Sequence, residues 1–301
     1  MSVKIGISPI AWQNDDLPDL TADYTMEQCL SESRQIGYTG VERGRRMPAD
    51  TEGLRRYLNE ADLALCGGWC SGSLMVQDVQ TEIDMIRQQV TQFVALDAPC
   101  VVYAECSNTV QGDQSTPVVN RPKLTRDDIR TYGAKLTEVA KWMKGEGMVM
   151  AYHHHMGSMI EDGEDVDWLM EHTGEEVTLL FDTGHLLFGG SDPLSVLKKW
   201  GHRVHHVHYK DIRCHVTNLI RARNGSFLDA VVAGAFTVPG DGCIDFGAIT
   251  RELKAMDYNG WIVVEAEQDP AHANPYEYSK LGYEHILKVC DDAGLTVDGR
   301  G

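Results

Sequence analysis

The chain has 301 residues, of which 43% are hydrophobic and 24% charged, and no long polar or repetitive tract interrupts it. This composition excludes an intrinsically disordered protein and supports a large buried core. The formal net charge of −18, from 27 Lys and Arg against 45 Asp and Glu, disfavours nucleic acid and anionic membranes as partners, because like charges repel. We therefore expect a compact globular protein.

The amino terminus, MSVKIGISPIAW, has no basic region followed by a long apolar run. No stretch approaches the roughly 20 apolar residues that a membrane helix needs. The eight cysteines are scattered and include no C-x-x-C pair, so we expect reduced thiols rather than a disulfide framework or a zinc knuckle. Together these features predict a cytoplasmic protein.

Apolar runs alternate with helix-periodic segments along the whole chain. The predicted strands are 3–8, 40–42, 63–69, 100–105, 148–153, 177–182, 203–210 and 261–267. The clearest predicted helices are 26–36, 51–60, 79–95, 125–144, 193–200 and 275–290. Eight strands with helical connections predict an α/β protein whose parallel sheet closes into a (β/α)₈ TIM barrel, with 1–301 as a single domain. An open doubly wound sheet is the alternative, but no G-x-G-x-x-G follows the first strand.

The longest segment outside this alternation is 214–245, which contains VAGAFTVPGDG. Its Gly and Pro suit a lid that folds over the barrel rim, and a subunit-contact loop is the equal alternative. The sequence leaves the oligomeric state open, a homo-oligomer included.

Nearly every predicted strand ends in a polar side chain. The carboxyl ends of barrel strands and the loops after them form the active site, so these side chains are expected at one rim. They are Glu42, Trp69, Glu105, His153, His154, His155, Asp182, His185, His206, His208, Lys210, Asp211, Glu265 and Glu267. Buried carboxylates and imidazoles are costly unless they are paired or bound to a metal, and a mixed oxygen and nitrogen set suits Mn²⁺, Co²⁺, Fe²⁺ or Zn²⁺. The rim is therefore predicted to bind one divalent metal ion.

A single histidine at a strand end is more often a hydrogen-bonded core group than a ligand. The argument for a metal therefore depends on polar ends occurring on four consecutive strands. Because strand side chains alternate, His153 and His155 share one face and His154 points away. In the seventh strand we prefer His208 as the ligand.

Longer phrases of the sequence carry a family resemblance. They are GISPIAWQNDDLPDL, VYAECSNTVQGD, AYHHHMGSMIED, LLFDTGHLLFGG, HHVHYKDIR, FLDAVVAGAFTVPGDGCID and GWIVVEAEQDPAHANP. Through them the chain, over about residues 3–292, resembles the inosose dehydratases, which belong to the xylose-isomerase-like group of TIM barrel sugar isomerases and epimerases. The short phrases HVHYKD and FDTGH alone would point only to the wider group.

The resemblance implies a metal held by residues of the last four strands. In the wider group these are acids on strands five, six and eight and a histidine on strand seven. The last three positions fall on Asp182, His208 and Glu265, and on strand five His153 stands where relatives usually carry Glu. The implied metal is Mn²⁺ or Co²⁺.

The reaction that the resemblance implies is the dehydration of 2-keto-myo-inositol, a small cyclic polyol ketone, to a trihydroxycyclohexane-1,2-dione in inositol catabolism. The absence of one Glu fits elimination, which needs one base and one acid, whereas epimerisation needs a base on each face of the substrate. We expect His155 or Glu267 as the base and His185 or Lys210 as the acid.

Four further residues, Asn14, Asp15, Trp69 and Glu105, are expected to bind sugar hydroxyls, with loop capping or structural hydrogen bonding as the alternative. A ketose 3-epimerase or sugar isomerase on the same barrel is the nearest alternative function. The acidic charge disfavours a metal-dependent phosphodiesterase acting on DNA, and the retained acid and base groups disfavour a non-catalytic sugar-binding protein.

Overall fold

The computed structural model describes residues 2–299. The strands are β1 Ser2–Ile7, β2 Gly40–Val41, β3 Ala64–Leu65, β4 Trp69–Gly72, β5 Val101–Glu105, β6 Met150–His153, β7 Val177–Asp182, β8 Val204–Tyr209, β9 Asp211–Ile212, β10 Phe236–Thr237, β11 Trp261–Val264 and β12 Thr296–Val297. The α-helices are α1 Met26–Ile36, α2 Thr51–Ala61, α3 Val79–Ala95, α4 Arg126–Gly145, α5 Gly163–Glu171, α6 Thr183–Phe188, α7 Pro193–Trp200, α8 Cys214–Ala222, α9 Phe227–Val232, α10 Phe246–Ala255 and α11 Pro275–Ala293.

The main sheet is parallel and runs in the order β3-β2-β1-β11-β8-β7-β6-β5-β4. Its two ends, β3 and β4, are halves of one barrel strand that is interrupted at two glycines. The carbonyl of Gly67 accepts from the amide of Arg43 beyond β2, and the carbonyl of Gly68 accepts from the amide of Val102 in β5. The interrupted strand is therefore bonded to both neighbours and closes the sheet, so the predicted TIM barrel is confirmed.

The helices surround this sheet, and all the described α-helices except α8 begin at a side-chain cap. At α4, Thr125 accepts from the amide of Asp128 while the Asp128 carboxylate accepts from the amide of Thr125, which satisfies amides that a helix start leaves unpaired. Strands β5 and β6 are buried along their whole length, as expected for strands covered on both faces. This packing fixes the strand ends that carry the candidate site.

The segment 214–245 folds over the carboxyl end of the barrel as α8, α9 and β10, and β10 pairs antiparallel with β9. Its apolar side chains form a small core of their own with Phe188 and Met156. The Asp211 carboxylate anchors the far end of the segment by accepting from the amides of Gly240, Gly242 and Ile244. Buried carboxylates are stabilised by such backbone donors.

Cys214 and Cys243 form a disulfide that joins the start of α8 to the loop after β10. The expectation that all cysteines are reduced is therefore wrong for this pair. The two residues lie 29 positions apart in sequence, and they meet only because the segment between them folds back on itself. Cys29, Cys66, Cys70 and Cys100 are buried thiols.

Among residues 2–299, no helix is both long enough and apolar enough to cross a membrane.

Candidate active site

The predicted ligands come from neighbouring strand ends at one rim of the barrel. His153 is the last residue of β6, Asp182 is the last residue of β7, and His208 lies opposite Asp182 in the register of β8. Strand β11 ends at Val264, so Glu265 belongs to the segment that follows the strand. All four predicted ligands are buried.

Three of them offer ligand atoms that lie within 4.8 Å of one another, namely His153, Asp182 and His208. The Nδ1 atom of His208 is 3.6 Å from Oδ2 of Asp182. Within residues 2–299, Nδ1 of both histidines and Oδ2 of Asp182 have no hydrogen-bond partner. Buried polar atoms are normally satisfied, so a cluster of such atoms fits a divalent cation with mixed nitrogen and oxygen ligands.

Lys210 occupies the centre of the neighbouring polar group and is fully buried. Its Nζ atom lies 2.5 Å from Oε2 of Glu265, 3.1 Å from Oε1 of Glu267 and 2.8 Å from Nε2 of His185. A buried ammonium is stable only when such partners surround it. The structure therefore pairs Glu265 with Lys210 and leaves it outside the cluster of His153, Asp182 and His208.

Glu267 has the features of a group that exchanges protons. Its Oε1 accepts from Lys210, whereas its Oε2 has no hydrogen-bond partner in the described chain. Burial raises the pKa of Glu267 to about 7, although the ammonium of Lys210 opposes the rise. Its carboxyl group is therefore available in both protonation states near neutral pH.

His155 and His185 are both buried and neutral. Nδ1 of His155 is 3.0 Å from the carbonyl oxygen of Met156, which can only accept, so this nitrogen carries the proton and Nε2 keeps its lone pair. Nε2 of His185 accepts from Lys210. Burial, with the nearby Lys210 charge, lowers the pKa of His155 to about 3 and the pKa of His185 well below its usual value.

Glu42 joins the site from across the barrel; the sequence analysis placed it among the polar residues of the rim but assigned it no specific role. Its Oε1 accepts from Nε2 of His208 at 2.9 Å and from Nε2 of His206 at 3.1 Å. Burial opposes ionisation of Glu42, but the two imidazoles outweigh it and hold the pKa of Glu42 well below its usual range. The only sequence signal was the shared face of His206 and His208, because β2 and β8 are not adjacent strands.

One of the predicted substrate-binding residues borders the candidate site. The Trp69 indole packs edge-on against His153 and His155, with ring centroids 5.7 and 5.3 Å apart. Asp15 lies 3.8 Å from Arg45, with 40% of its side chain exposed. The structure thus brings Trp69 against the site histidines, whereas the contact described for Asp15 is with Arg45.

The other two predicted substrate-binding residues hold loops together. Oδ1 of Asn14 accepts from the amides of Asp16 and Leu17, and the Glu105 carboxylate accepts from the amides of Met75 and Ser107. These bonds agree with the alternative of loop capping.

Asp16 was missed by the sequence analysis, which named its neighbours Asn14 and Asp15. Its carboxylate interacts electrostatically with Lys210, and burial raises its pKa. Asn14, Asp15 and Asp16 are adjacent polar residues of one loop, so the sequence alone did not distinguish Asp16 from its neighbours.

Comparisons with known proteins identify the family. The protein family described as "Xylose isomerase-like TIM barrel" matches residues 30–296 of this chain. The chain belongs to this family. It is 45% identical to the rhizopine catabolism protein MocC of Rhizobium meliloti, covering 99% of this chain and 91% of that protein. It is 41% identical to an inosose dehydratase of Geobacillus thermodenitrificans, covering 96% of this chain and 97% of that protein.

Solved structures resemble this xylose isomerase-like barrel in fold. The probable 3-DHS dehydratase AsbF of Bacillus anthracis has a TM-score of 0.70 at 13% identity and covers 95% of this chain and 99% of its own. An L-ribulose 3-epimerase has a TM-score of 0.68 at 17% identity and covers 97% of this chain and 96% of its own. Both likenesses concern the barrel alone.

The histidine run of this xylose isomerase-like barrel is arranged as strand alternation predicts. The rings of His153 and His155 lie 5.5 Å apart and both contact Trp69. His154 is fully buried, and neither of its ring nitrogens has a hydrogen-bond partner in the described part of the chain. β6 thus brings His153 to the candidate metal cluster, and the irregular segment after β6 brings His155 to His185 in the group around Lys210.

Proposed function

We propose that this chain is an inosose dehydratase that removes water from 2-keto-myo-inositol and yields a trihydroxycyclohexane-1,2-dione in inositol catabolism. The support is the near-complete coverage by inosose dehydratases at 41 and 43% identity. The observation that carries the proposal is the hydrogen-bonded pair of Lys210 and Glu267 beside the cluster of His153, Asp182 and His208. One rim thus combines groups for proton transfer with groups for metal binding.

The residues proposed to hold a divalent metal, Mn²⁺ or Co²⁺, are His153, Asp182 and His208, with Glu265 as the fourth ligand. The unpartnered buried atoms of the first three support this assignment among the described residues. Glu265 lies outside that cluster in an ion pair with Lys210, and as a ligand it would exchange this contact for the metal. A divalent ion in this position supplies Lewis-acid polarisation of the substrate ketone.

Glu267 is proposed as the base that takes the proton from the carbon next to the ketone. Its Oε2 is available, since it has no hydrogen-bond partner within residues 2–299. Lys210 donates a proton to the leaving β-hydroxyl, which departs as water. Glu267 then returns its proton to Lys210 through their 3.1 Å contact. The net change moves one proton from carbon to hydroxyl, so no oxidant or reductant is needed.

The two histidines near this pair receive different roles. His185 accepts a hydrogen bond from Lys210 at Nε2, so that nitrogen has no proton to give, and we propose that it positions the ammonium. His155 keeps the lone pair of Nε2 and is the second candidate for the base. Trp69 is proposed to bound the space in which the substrate ring sits.

The test is to incubate the metal-loaded protein with 2-keto-myo-inositol and to identify the product by mass and by ultraviolet absorbance of the dione. We expect a product lighter by one water. A product of unchanged mass and altered stereochemistry would assign the chain to the epimerases or isomerases. The Glu267→Gln variant, loaded with the same metal, is the control for the proposed base.

A further inference from the structure

Glu42, the residue directly after β2, reaches two imidazoles of β8 across the barrel interior. Its side chain is buried, and one oxygen, Oε1, accepts from both His206 and His208. Because an ionised carboxylate can only accept hydrogen bonds, Nε2 of His208 must carry the proton in this contact. The contact therefore keeps a proton on Nε2 of His208 and leaves Nδ1 as the ring nitrogen that faces other partners.

The opposite nitrogen of His208 is the one at the candidate metal cluster. Nδ1 lies 3.6 Å from Oδ2 of Asp182 and has no hydrogen-bond partner among residues 2–299. When a neutral imidazole carries its proton on Nε2, the lone pair is on Nδ1. The bond to Glu42 thus presents the lone pair of His208 to the side of the ring where Asp182 lies.

The backbone between β3 and β4 runs directly beside this contact. A Cβ atom on Gly67 would lie 3.4 Å from both Oε1 of Glu42 and Nε2 of His206, which is van der Waals contact. Gly67 has a φ of +145°, a conformation that residues with a side chain rarely adopt. The glycine that interrupts the third barrel strand therefore packs against the carboxylate of Glu42 and the ring of His206.

His206 provides the internal comparison. It shares the same oxygen of Glu42 and lies two residues deeper in β8. With Glu42 and His208 it forms a second group of close potential ligand atoms, but it belongs to no group that includes Asp182. Both histidines are buried, so loss of either one perturbs the same wall of the barrel. Only the loss of the bond between Glu42 and His208 changes the ring at the metal cluster.

We propose that Glu42 is a positioning residue for the metal site, which fixes the orientation and the tautomer of His208 so that Nδ1 is available as a ligand. The proposal rests on the metal site of the proposed function. Carboxylates that hold the far nitrogen of a ligating histidine typically contribute 10- to 100-fold in metal affinity or activity.

The experiment measures the dissociation constant of Mn²⁺ by electron paramagnetic resonance of the free ion, and the visible absorption of bound Co²⁺. Purified wild type, Glu42→Gln, Glu42→Ala and His206→Asn are compared. We expect Mn²⁺ to bind about 10-fold more weakly to Glu42→Gln and up to about 100-fold more weakly to Glu42→Ala, with an altered Co²⁺ spectrum. The Mn²⁺ dissociation constant of His206→Asn should stay within about threefold of the wild-type value, because in this variant Glu42 keeps its bond to His208.

Wild-type affinity and an unchanged Co²⁺ spectrum in Glu42→Gln would overturn the proposal, as would an equal loss of affinity in His206→Asn. If Glu42→Ala fails to fold, the isosteric Gln variant decides the question. A wild-type protein that binds neither ion also overturns it. If the variants show the predicted Mn²⁺ affinities but the wild-type protein does not dehydrate 2-keto-myo-inositol, the role of Glu42 is supported and the proposed function is overturned.

Discussion

Two groups of charged side chains, each centred on a buried cation, differ in how their charges are paired. In the first, which we call the Arg121 cluster, one guanidinium lies 2.7 Å from Asp165, 3.1 Å from Asp162 and 3.5 Å from Glu161. In the second, the rim around Lys210, Oδ2 of Asp182 and Oε2 of Glu267 have no hydrogen-bond partner in the described chain. The Arg121 cluster pairs its acids internally, whereas the rim keeps atoms available for a ligand. The first is the pattern of a structural network and the second that of a reactive site.

The sharpest test of this difference is Asp182→Asn. The side-chain oxygen of the Asn variant could still accept from the backbone N–H of His185, as Oδ1 of Asp182 does at 2.8 Å. The substitution does remove the negative charge among the candidate ligands. We expect kcat/KM to fall about 10³-fold, comparable to removing a key electrostatic contact, with little change in thermal unfolding. Steady-state kinetics and calorimetry check this; a folded, fully active Asn variant would remove Asp182 from the site.

Glu267→Gln separates proton transfer from metal binding within the rim. We expect kcat to fall about 10²-fold or more, because a base is lost, while Mn²⁺ affinity stays close to wild type. Metal titration and turnover are measured on the same preparation. Retained turnover would transfer the role of the base to His155, and His155→Gln is the matched variant.

In the Arg121 cluster the largest expected effect is on stability. Arg121→Met leaves three acids without their shared cation, and breaking such a buried pair costs about 3 kcal/mol. We expect a lower free energy of unfolding in urea, with kcat and Mn²⁺ affinity near wild type for the folded fraction. A stable variant without activity would mean that this cluster also belongs to the reactive site.

The smallest expected effect concerns the pH dependence of stability. Burial raises the pKa of Glu161 from 4.5 to about 7, so between these values the folded chain holds a proton that the unfolded chain releases. This group makes the free energy of unfolding fall as pH rises through that window.

Glu161→Gln removes this contribution, so its unfolding free energy should decline less than that of wild type between pH 4.5 and pH 7. Urea titrations at a series of pH values measure the difference. Parallel profiles for the two proteins would contradict the assignment.

The sequence predicts the barrel well because the alternation of apolar runs and periodic segments is a local property. It also predicts which strand ends carry His153, Asp182 and His208, since strand alternation and the barrel rule suffice for that. Contacts between distant segments were not predictable in this way. The bond of Glu42 to His208 crosses a closed barrel, and the Cys214–Cys243 disulfide depends on the fold of an irregular segment.

The most direct test of the proposed metal-dependent dehydratase is a titration of chelator-treated protein with Mn²⁺, following loss of one water from 2-keto-myo-inositol by mass spectrometry. We predict no turnover in the stripped protein and full turnover at one Mn²⁺ per chain. Full turnover in the stripped protein, or an absence of water loss at saturating Mn²⁺, would contradict this assignment.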